Sequence, residues 1–167
     1  MLPFMNAFRR VPLSPSLSKF VTIPRRGYAQ AVQKNEKLLL SLALPYRTVY
    51  DKFPVNQVDL PTEDGEMGIL KDHVPMVQCL RPGVVSITDE SSAVSKYFVS
   101  GGFAVQQPSN ELSVTAPEAF KLEEFSSSVV SELLDKYRAD AASSDEKVAA
   151  EASVRVGVLE ALSSALK

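Results

Sequence analysis

The sequence has few of the side chains on which most enzymes and metal proteins depend. Its 167 residues include one cysteine, one histidine and no tryptophan. A single cysteine excludes an intrachain disulfide, and it also excludes a zinc site built from several thiolates. No stretch approaches the roughly 18 consecutive apolar residues that a membrane-spanning helix needs, so we expect none.

The overall composition is that of an ordinary folded protein. Apolar residues make up 45% of the chain and charged residues 23%, which excludes a wholly disordered chain. The net charge of −2 is not typical of a nucleic-acid binder. A chain of this length builds one domain or two small ones.

Acidic residues are missing from the first 35 positions, which carry six basic residues instead: Arg9, Arg10, Lys19, Arg25, Arg26 and Lys34. A basic, serine-bearing and acid-free N-terminus is typical of an organelle transit peptide. No uninterrupted apolar core follows that would indicate a secretory signal. The run Arg25-Arg26-Gly27-Tyr28-Ala29 resembles a mitochondrial processing site, so we predict a transit peptide over residues 1–28. The alternative is a disordered basic arm that stays on the protein.

Removal of residues 1–28 makes the predicted mature chain distinctly acidic. Five of the 18 basic residues and none of the 20 acidic residues lie in that segment. The remaining 139 residues carry 13 basic and 20 acidic side chains, a net charge of −7. Such a chain is poorly suited to binding phosphate backbones.

Proline is absent after Pro117, and glycine occurs only once after that point, at Gly157. Seven prolines lie between Pro45 and Pro117, where they mark turns and strand edges. We therefore divide the chain into a turn-rich domain, residues 29–118, and a helical domain, residues 119–167.

The turn-rich domain contains short apolar runs separated by turns about every 8–12 residues. The runs are Leu38–Leu44, Val55–Leu60, Val84–Thr88, Lys96–Val99, Phe103–Val105 and Leu112–Ala116. Because β-branched and aromatic residues fill these runs and no helical spacer separates them, the pattern predicts an all-β sandwich or barrel. Cys79 lies in another apolar stretch and is expected to be buried and unreactive.

The helical domain has two stripes of apolar side chains at helical spacing. The stripes consist of Phe125, Val129, Val130, Leu133, Leu134 and Tyr137, and of Val148, Ala152, Val156, Leu159, Leu162 and Leu166. Between them, Ser143 and Glu146 have the spacing of a capping box, which predicts the start of the second helix. Two such helices joined by a short polar turn predict an antiparallel hairpin that packs on the β domain or on another subunit.

His73 is the one histidine available for acid–base chemistry. It follows Asp72, which would orient it in a catalytic interpretation. A metal interpretation needs the nearby acids Glu63, Asp64 and Glu66, but these lack the alternating order of an EF-hand loop. We favour a turn or interface histidine, and we predict no catalytic residue, no metal site and no cofactor.

Three motifs, in order, carry a family resemblance. They are Gly65-Glu66-Met67-Gly68-Ile69-Leu70-Lys71-Asp72-His73-Val74-Pro75, then Leu80-Arg81-Pro82-Gly83, then Phe98-Val99-Ser100-Gly101-Gly102-Phe103. With the two-helix C-terminus, residues 36–167 resemble the delta subunit of mitochondrial ATP synthase, which is the counterpart of the bacterial and chloroplast epsilon subunit. The pattern is most similar to fungal members of that family.

The resemblance implies a β-sandwich of about ten strands followed by an antiparallel two-helix hairpin. It implies a non-catalytic rotor subunit of the central stalk, on the matrix side of the mitochondrial inner membrane and not inserted in it. The implied partners are the gamma subunit, a small epsilon subunit and the membrane c-ring, so that proton-driven rotation is coupled to ATP synthesis.

The resemblance also implies three sets of contact residues. The c-ring set is Thr62, Glu63, Asp64, Glu66 and Met67, although a solvated turn is the alternative for its acids. The gamma set is His73 and Gln78. The set that packs the hairpin is Phe125, Val129, Leu133, Val156, Leu159 and Leu162.

One string in the first helix matches a nucleotide motif of some bacterial relatives, Leu134-Asp135-Lys136-Tyr137-Arg138-Ala139. Those relatives also need basic residues on the second helix, where this chain offers Arg155 and little else. We therefore interpret Asp135 and Arg138 as solvated residues on the helix face. A free-standing matrix enzyme or ligand binder that uses His73 is the competing hypothesis for the whole chain.

Overall fold

The structure, a computed structural model, describes residues 33–167. The predicted transit peptide over residues 1–28 and its cleavage site after Tyr28 lie outside the described residues. The strands are β1 (Leu38–Leu44), β2 (Arg47–Thr62), β3 (Gly65–Leu70), β4 (Met76–Leu80), β5 (Gly83–Asp89), β6 (Val94–Val99), β7 (Gly102–Gln106), β8 (Glu111–Thr115) and β9 (Ala119–Lys121). A short 3-10 helix (Leu122–Glu124) leads to α1 (Ser127–Ala141) and α2 (Glu146–Ala165).

Strand β2 is long enough to belong to both layers of the sandwich. It pairs with β1 up to Val55, with β5 from Val55 onward and with β3 from Gln57 onward. One layer therefore continues through β8, β7 and β4, and the other through β6 and β9. Lys52, three residues before this change of partner, has a φ of +47°, and the pairing with β1 shifts register nearby. Bulged strands that change layer in this way form the corners of a sandwich.

Alternation along the strands fills the space between the layers with aliphatic side chains. Every second residue of β1, from Leu38 to Leu44, is buried. Val58, Leu60 and Ile69 lie in the same core, and none of the three has any solvent exposure. A core packed this closely makes the domain stiff.

The predicted fold class, a β-sandwich followed by two helices, is confirmed. The described sheet has nine strands, close to the number that the resemblance implies. The last strand, β9, lies beyond the predicted domain boundary at residue 118 and pairs with β6 through Phe98 and Phe120. The sheet therefore continues up to the short helix that precedes the hairpin.

Asp145 caps helix α2. Its Oδ1 accepts hydrogen bonds from the backbone N–H groups of Lys147, at 3.0 Å, and Val148, at 3.5 Å. Ser143 lies one step further from the helix, and its hydroxyl accepts from the N–H of Asp145. The predicted capping box at Ser143 and Glu146 is therefore wrong, because the aspartate nearer the helix supplies the cap.

Only part of the apolar stripe predicted for α1 is buried in the structure. Val130 and Leu134 are buried, whereas Val129 is 51% exposed, so the predicted packing role of Val129 is wrong. Neighbouring helix residues point about 100° apart, so two adjacent valines do not both face the same partner. Leu133 on α1 and Val156 on α2 are only partly buried.

A second apolar cluster joins the hairpin to the sheet. Phe98 of β6 is buried together with Val130 and Leu162. The Phe125 ring meets the Phe98 ring edge-on at 5.9 Å between centroids, and Leu159 packs against the same cluster. Within the described part of the chain, no helix is both long enough and apolar enough to cross a membrane.

Candidate interaction surfaces

The turn between β2 and β3 presents two acidic side chains to solvent. Glu63 and Asp64 are exposed at its tip, and Gly65 takes a φ of +131° that favours glycine. The Thr62 hydroxyl donates a 2.6 Å hydrogen bond to the carbonyl oxygen of Gly65 and so closes the turn.

Two of the five residues predicted to meet the c-ring point inward. Thr62 is 1% exposed, and Met67 is partly buried against the sandwich core. The prediction of a partner contact is therefore wrong for the Thr62 side chain, because the hydroxyl is used inside the turn. Glu66 shares the exposure of Glu63 and Asp64. Strand alternation separates these residues, since Glu66 and Met67 are neighbours on β3 and point to opposite sides.

His73 lies in the turn between β3 and β4 and is partly exposed. Its Nδ1 is 3.0 Å from the carbonyl oxygen of Val74. The Asp72 carboxylate contacts Lys34 Nζ at 2.5 Å and Asn110 Nδ2 at 3.3 Å instead of the imidazole. The hydrogen bond from Lys34, and then the one from Asn110, lower the pKa of Asp72. The Asp72–His73 pair that a general-base mechanism needs is therefore not formed.

Residues 33–167 contain no group of three or more histidine, cysteine, aspartate or glutamate side chains placed to hold a metal ion. The acids of the β2–β3 turn and His73 do not converge on one point. The metal interpretation of these residues therefore has no geometric support.

Gln78, predicted to face the gamma subunit, lies on the inner side of β4. It alternates with Val77 and Cys79, which are exposed, and shares its side with Met76 and Leu80. Cys79 is thus exposed, and the prediction of a buried thiol is wrong. The alternation of β4 was the signal available in the sequence, but it does not reveal which side faces the core.

The outer side of β4 and β7 forms an apolar surface that sequence reasoning missed. Val77 pairs with Val105, and Cys79 pairs with Phe103. Val77 is 68% exposed and Phe103 is 57% exposed. We call these four residues the β4–β7 patch. Paired residues share one face of a sheet, so these side chains form one contiguous apolar surface.

The nucleotide-motif residues of α1 are engaged with the neighbouring helix. The Arg138 guanidinium donates a 2.7 Å hydrogen bond to Glu160, and Asp135 is exposed. Arg155 stacks over the Tyr137 ring at 5.0 Å and lies 3.5 Å from Glu151. The two arginines therefore have separate partners and do not form one basic site.

An open groove separates α2 from the edge of the sandwich. It has a volume of about 490 Å³, and its helix side consists of small residues, including Gly157 and Ala161. Its sheet side includes Pro61, Glu66 and Arg81. The hairpin therefore touches the sheet at the Phe98 cluster and leaves a gap beside it.

Comparison with known families matches both domains. Residues 37–122 match the family described as ATP synthase, Delta/Epsilon chain, beta-sandwich domain. Residues 125–164 match the family described as Fungal epsilon subunit of F1F0-ATP synthase C-terminal domain. The first match ends at the start of the 3-10 helix, and the second begins directly after that helix.

Relatives and solved structures agree with these matches. The chain is 75% identical over 142 residues to ATP synthase subunit delta, mitochondrial, of Schizosaccharomyces pombe, which covers 85% of each chain. It is 46% identical over 158 residues to the protein of the same name from Yarrowia lipolytica, covering 95% of this chain and 97% of that one. A chain of the Euglena gracilis mitochondrial ATP synthase (OSCP/F1/c-ring) superposes with a TM-score of 0.77 and 26% identity, covering 98% of this chain and all of that one.

A chain from the Tetrahymena thermophila mitochondrial ATP synthase has the same fold at 16% identity, with a TM-score of 0.59. It covers 81% of this chain. The predicted family is confirmed by the two family matches and by the similar mitochondrial delta subunits. The chain belongs to the delta/epsilon subunit family of ATP synthases, with a C-terminal domain of the fungal type.

Proposed function

We propose that this protein is a non-catalytic subunit of the central stalk of mitochondrial ATP synthase, on the matrix side of the inner membrane. The observation that carries the proposal is the 75% identity to the mitochondrial delta subunit of Schizosaccharomyces pombe. The Euglena chain that it resembles comes from an assembly that contains F1 and a c-ring. In this role the protein couples proton-driven rotation of the c-ring to ATP synthesis through the gamma subunit.

The mechanical requirement is a stiff body with firm attachments at two places. The sandwich provides stiffness, because its core side chains are close-packed between two bonded layers. Torque is then transmitted by shape and contact, and the subunit needs no bond-making chemistry.

The β4–β7 patch is the surface we assign to the gamma subunit. It is apolar and contiguous, and it begins directly after the turn that carries His73 and Val74. Interface cores favour apolar and aromatic side chains that are fully desolvated on binding. Val77 and Phe103 replace Gln78 as the residues expected to contribute most.

The β2–β3 turn is the surface we assign to the c-ring. Glu63, Asp64 and Glu66 are exposed there, and the internal hydrogen bond of Thr62 holds the turn in one shape. Carboxylates at such a tip suit basic and amide groups of polar loops.

The groove beside α2 is the place we assign to the small epsilon subunit. Small residues on the helix side leave room for a short peptide segment between the two domains. A segment bound there would contact the hairpin and the sandwich together and hold their relative position.

The first test is crosslinking mass spectrometry on intact mitochondrial inner membranes. We expect crosslinks from the exposed Lys71, next to the His73 turn, to the gamma subunit, and carboxylate crosslinks from Glu63 or Asp64 to the c-ring. A chain that co-purifies with no ATP synthase subunit, or that converts a metabolite by itself, would revive the competing hypothesis of a free-standing enzyme.

The second test compares one substitution at two exposed valines. Val77→Asp places a charge in the β4–β7 patch, while Val94→Asp places the same charge on β6 of the other layer. Neither side chain is buried in the free protein, so both variants should fold. We expect Val77→Asp alone to reduce the amount of the chain retained in purified ATP synthase. Equal retention of the two variants would contradict the assignment of the patch.

A further inference from the structure

Asn110 combines a left-handed backbone conformation with almost complete burial of its side chain. Its φ is +63° and its exposure is 1%. It lies in the turn between β7 and β8, with its backbone N–H bonded to the carbonyl oxygen of Gln107. Asparagine tolerates the left-handed region in turns, because its short polar side chain can form local hydrogen bonds.

The Asn110 side chain bonds to two segments that are distant in the sequence. Its Nδ2 donates to the carbonyl oxygen of Asn35 at 2.7 Å and to the Asp72 carboxylate at 3.3 Å. Its Oδ1 accepts a hydrogen bond from the backbone N–H of Asp72 at 3.1 Å. One amide group thus joins the β7–β8 turn, the β3–β4 turn and the chain that leads into β1.

The residue it holds, Asp72, also has a left-handed backbone, with a φ of +66°. Its carboxylate bonds to Lys34, which neighbours Asn35. The residues that follow Asp72 are His73, which is partly exposed, and Val74, which is 69% exposed. The contact therefore holds the base of a turn whose tip projects into solvent beside the β4–β7 patch.

We propose that Asn110 is a positioning residue that fixes the His73–Val74 turn for contact with the gamma subunit. This inference rests on the proposed function for the identity of the partner. Asn110 is almost completely buried, so it acts through the turn that it holds. Its side chain selects one conformation of the turn before binding, so that the partner does not have to order the turn during association.

The variant that tests this is Asn110→Gly, which removes the amide but allows the positive φ. The matched control is Ser92→Gly, because Ser92 has a φ of +66° in the exposed turn between β5 and β6. Both variants change a left-handed residue to glycine. Only Asn110→Gly also removes a side-chain amide that bonds to Asn35 and Asp72.

The direct readout is residue-resolved hydrogen exchange on the full chain. The N–H of Asp72 bonds to the Asn110 side chain, whereas the N–H of Leu39 bonds to the Asn110 backbone carbonyl. In Asn110→Gly we expect the exchange rate of the Asp72 amide to rise by about tenfold relative to the unsubstituted chain. The exchange rate of the Leu39 amide should change much less. Unchanged exchange at Asp72, or an equal rise at both amides, would overturn the positioning role.

The second readout is retention of the chain in purified ATP synthase at increasing salt and urea. We expect Asn110→Gly to be released earlier than Ser92→Gly, and we expect that difference to disappear when Val74 is replaced by serine in both. A difference that persists in the Val74→Ser background would mean that Asn110 acts on general stability, and it would overturn the proposal.

The two proposals fail in distinguishable ways. If Val77→Asp leaves retention unchanged, the assignment of the β4–β7 patch is wrong whatever Asn110 does. If Val77→Asp reduces retention but Asn110→Gly speeds exchange at Asp72 without affecting retention, the patch stands and the positioning role is overturned.

Discussion

The sandwich and the hairpin differ in how far the contacts inside each domain are enough to stabilise it. Both layers of the sandwich contribute fully buried aliphatic side chains to one core, from Leu40 on β1 to Ile69 on β3. The buried residues of the hairpin are Val130, Leu134, Ala152 and Leu162, and one of these four has only the small side chain of alanine. The comparison teaches that the sandwich is the self-sufficient unit, while the hairpin depends on its contact with the sheet at the Phe98 cluster.

The largest effect is expected in the core of the sandwich. Leu40→Ala removes a side chain with no solvent exposure, so we expect the free energy of unfolding to fall by about 3–5 kcal/mol. Urea denaturation followed by circular dichroism measures this change. Leu70→Ala, at a residue that is 52% exposed, is the matched control and should cost less than about 1 kcal/mol.

A smaller and more local effect is expected where the hairpin meets the sheet. Leu162→Ala should cost about 2–3 kcal/mol, because Leu162 lies in the small cluster with Phe98 and Val130. The loss should appear as faster hydrogen exchange in α1 and α2 with little change in the strands of the sandwich. Val154→Ala, at an exposed position of α2, is the control. A uniform rise in exchange across both domains would show that the two unfold as one unit.

High pH should weaken the sandwich by way of Tyr97. Burial, and then the 3.3 Å contact with the Tyr50 hydroxyl, raise the pKa of Tyr97 to about 12 from the ordinary 10.0. The folded state therefore favours the neutral phenol. Its contribution, on the order of 2 kcal/mol, is complete below pH 10 and is lost as the pH rises towards 12.

Ultraviolet difference absorbance and denaturant titrations between these pH values test that expectation. Tyr97→Phe should remove most of the decline in stability, whereas Tyr46→Phe, at an exposed tyrosine, should leave it in place. If the decline were unchanged in Tyr97→Phe, another group would be responsible for it.

The smallest effect is expected at the start of α2. Asp145→Ala removes the side chain that accepts from two backbone N–H groups and should destabilise the hairpin by about 1 kcal/mol. Ser143→Ala should change its stability by less than about 0.5 kcal/mol, because that serine bonds only to the N–H of Asp145. Thermal unfolding monitored on the helices compares the two, and equal losses would restore the capping box predicted at Ser143.

The sequence was most informative about the type of each element. Proline and glycine distinguish the sandwich from the hairpin, because proline breaks helices and the chain after Pro117 contains none. The motif around His73 identified the family. These signals are local and depend on a few residues that are close together in the chain.

The candidate surfaces were predicted less well, because exposure is not a local property. Thr62 and Glu63 are neighbours in a polar turn, yet one is buried and the other is exposed. Val77 and Phe103 reach solvent although their residue types favour burial. Both outcomes depend on the register of strands that are far apart in the sequence.

The sequence by itself determined that strands precede two helices and which family the chain belongs to, and its apolar runs located six of the nine described strands. Only the tertiary structure decided which valine of α1 is buried, which side of β4 faces solvent, and that Asn110 meets Asn35 and Asp72. The physical reason is that periodicity defines two sides of an element, whereas the partner that covers one of them comes from another part of the chain.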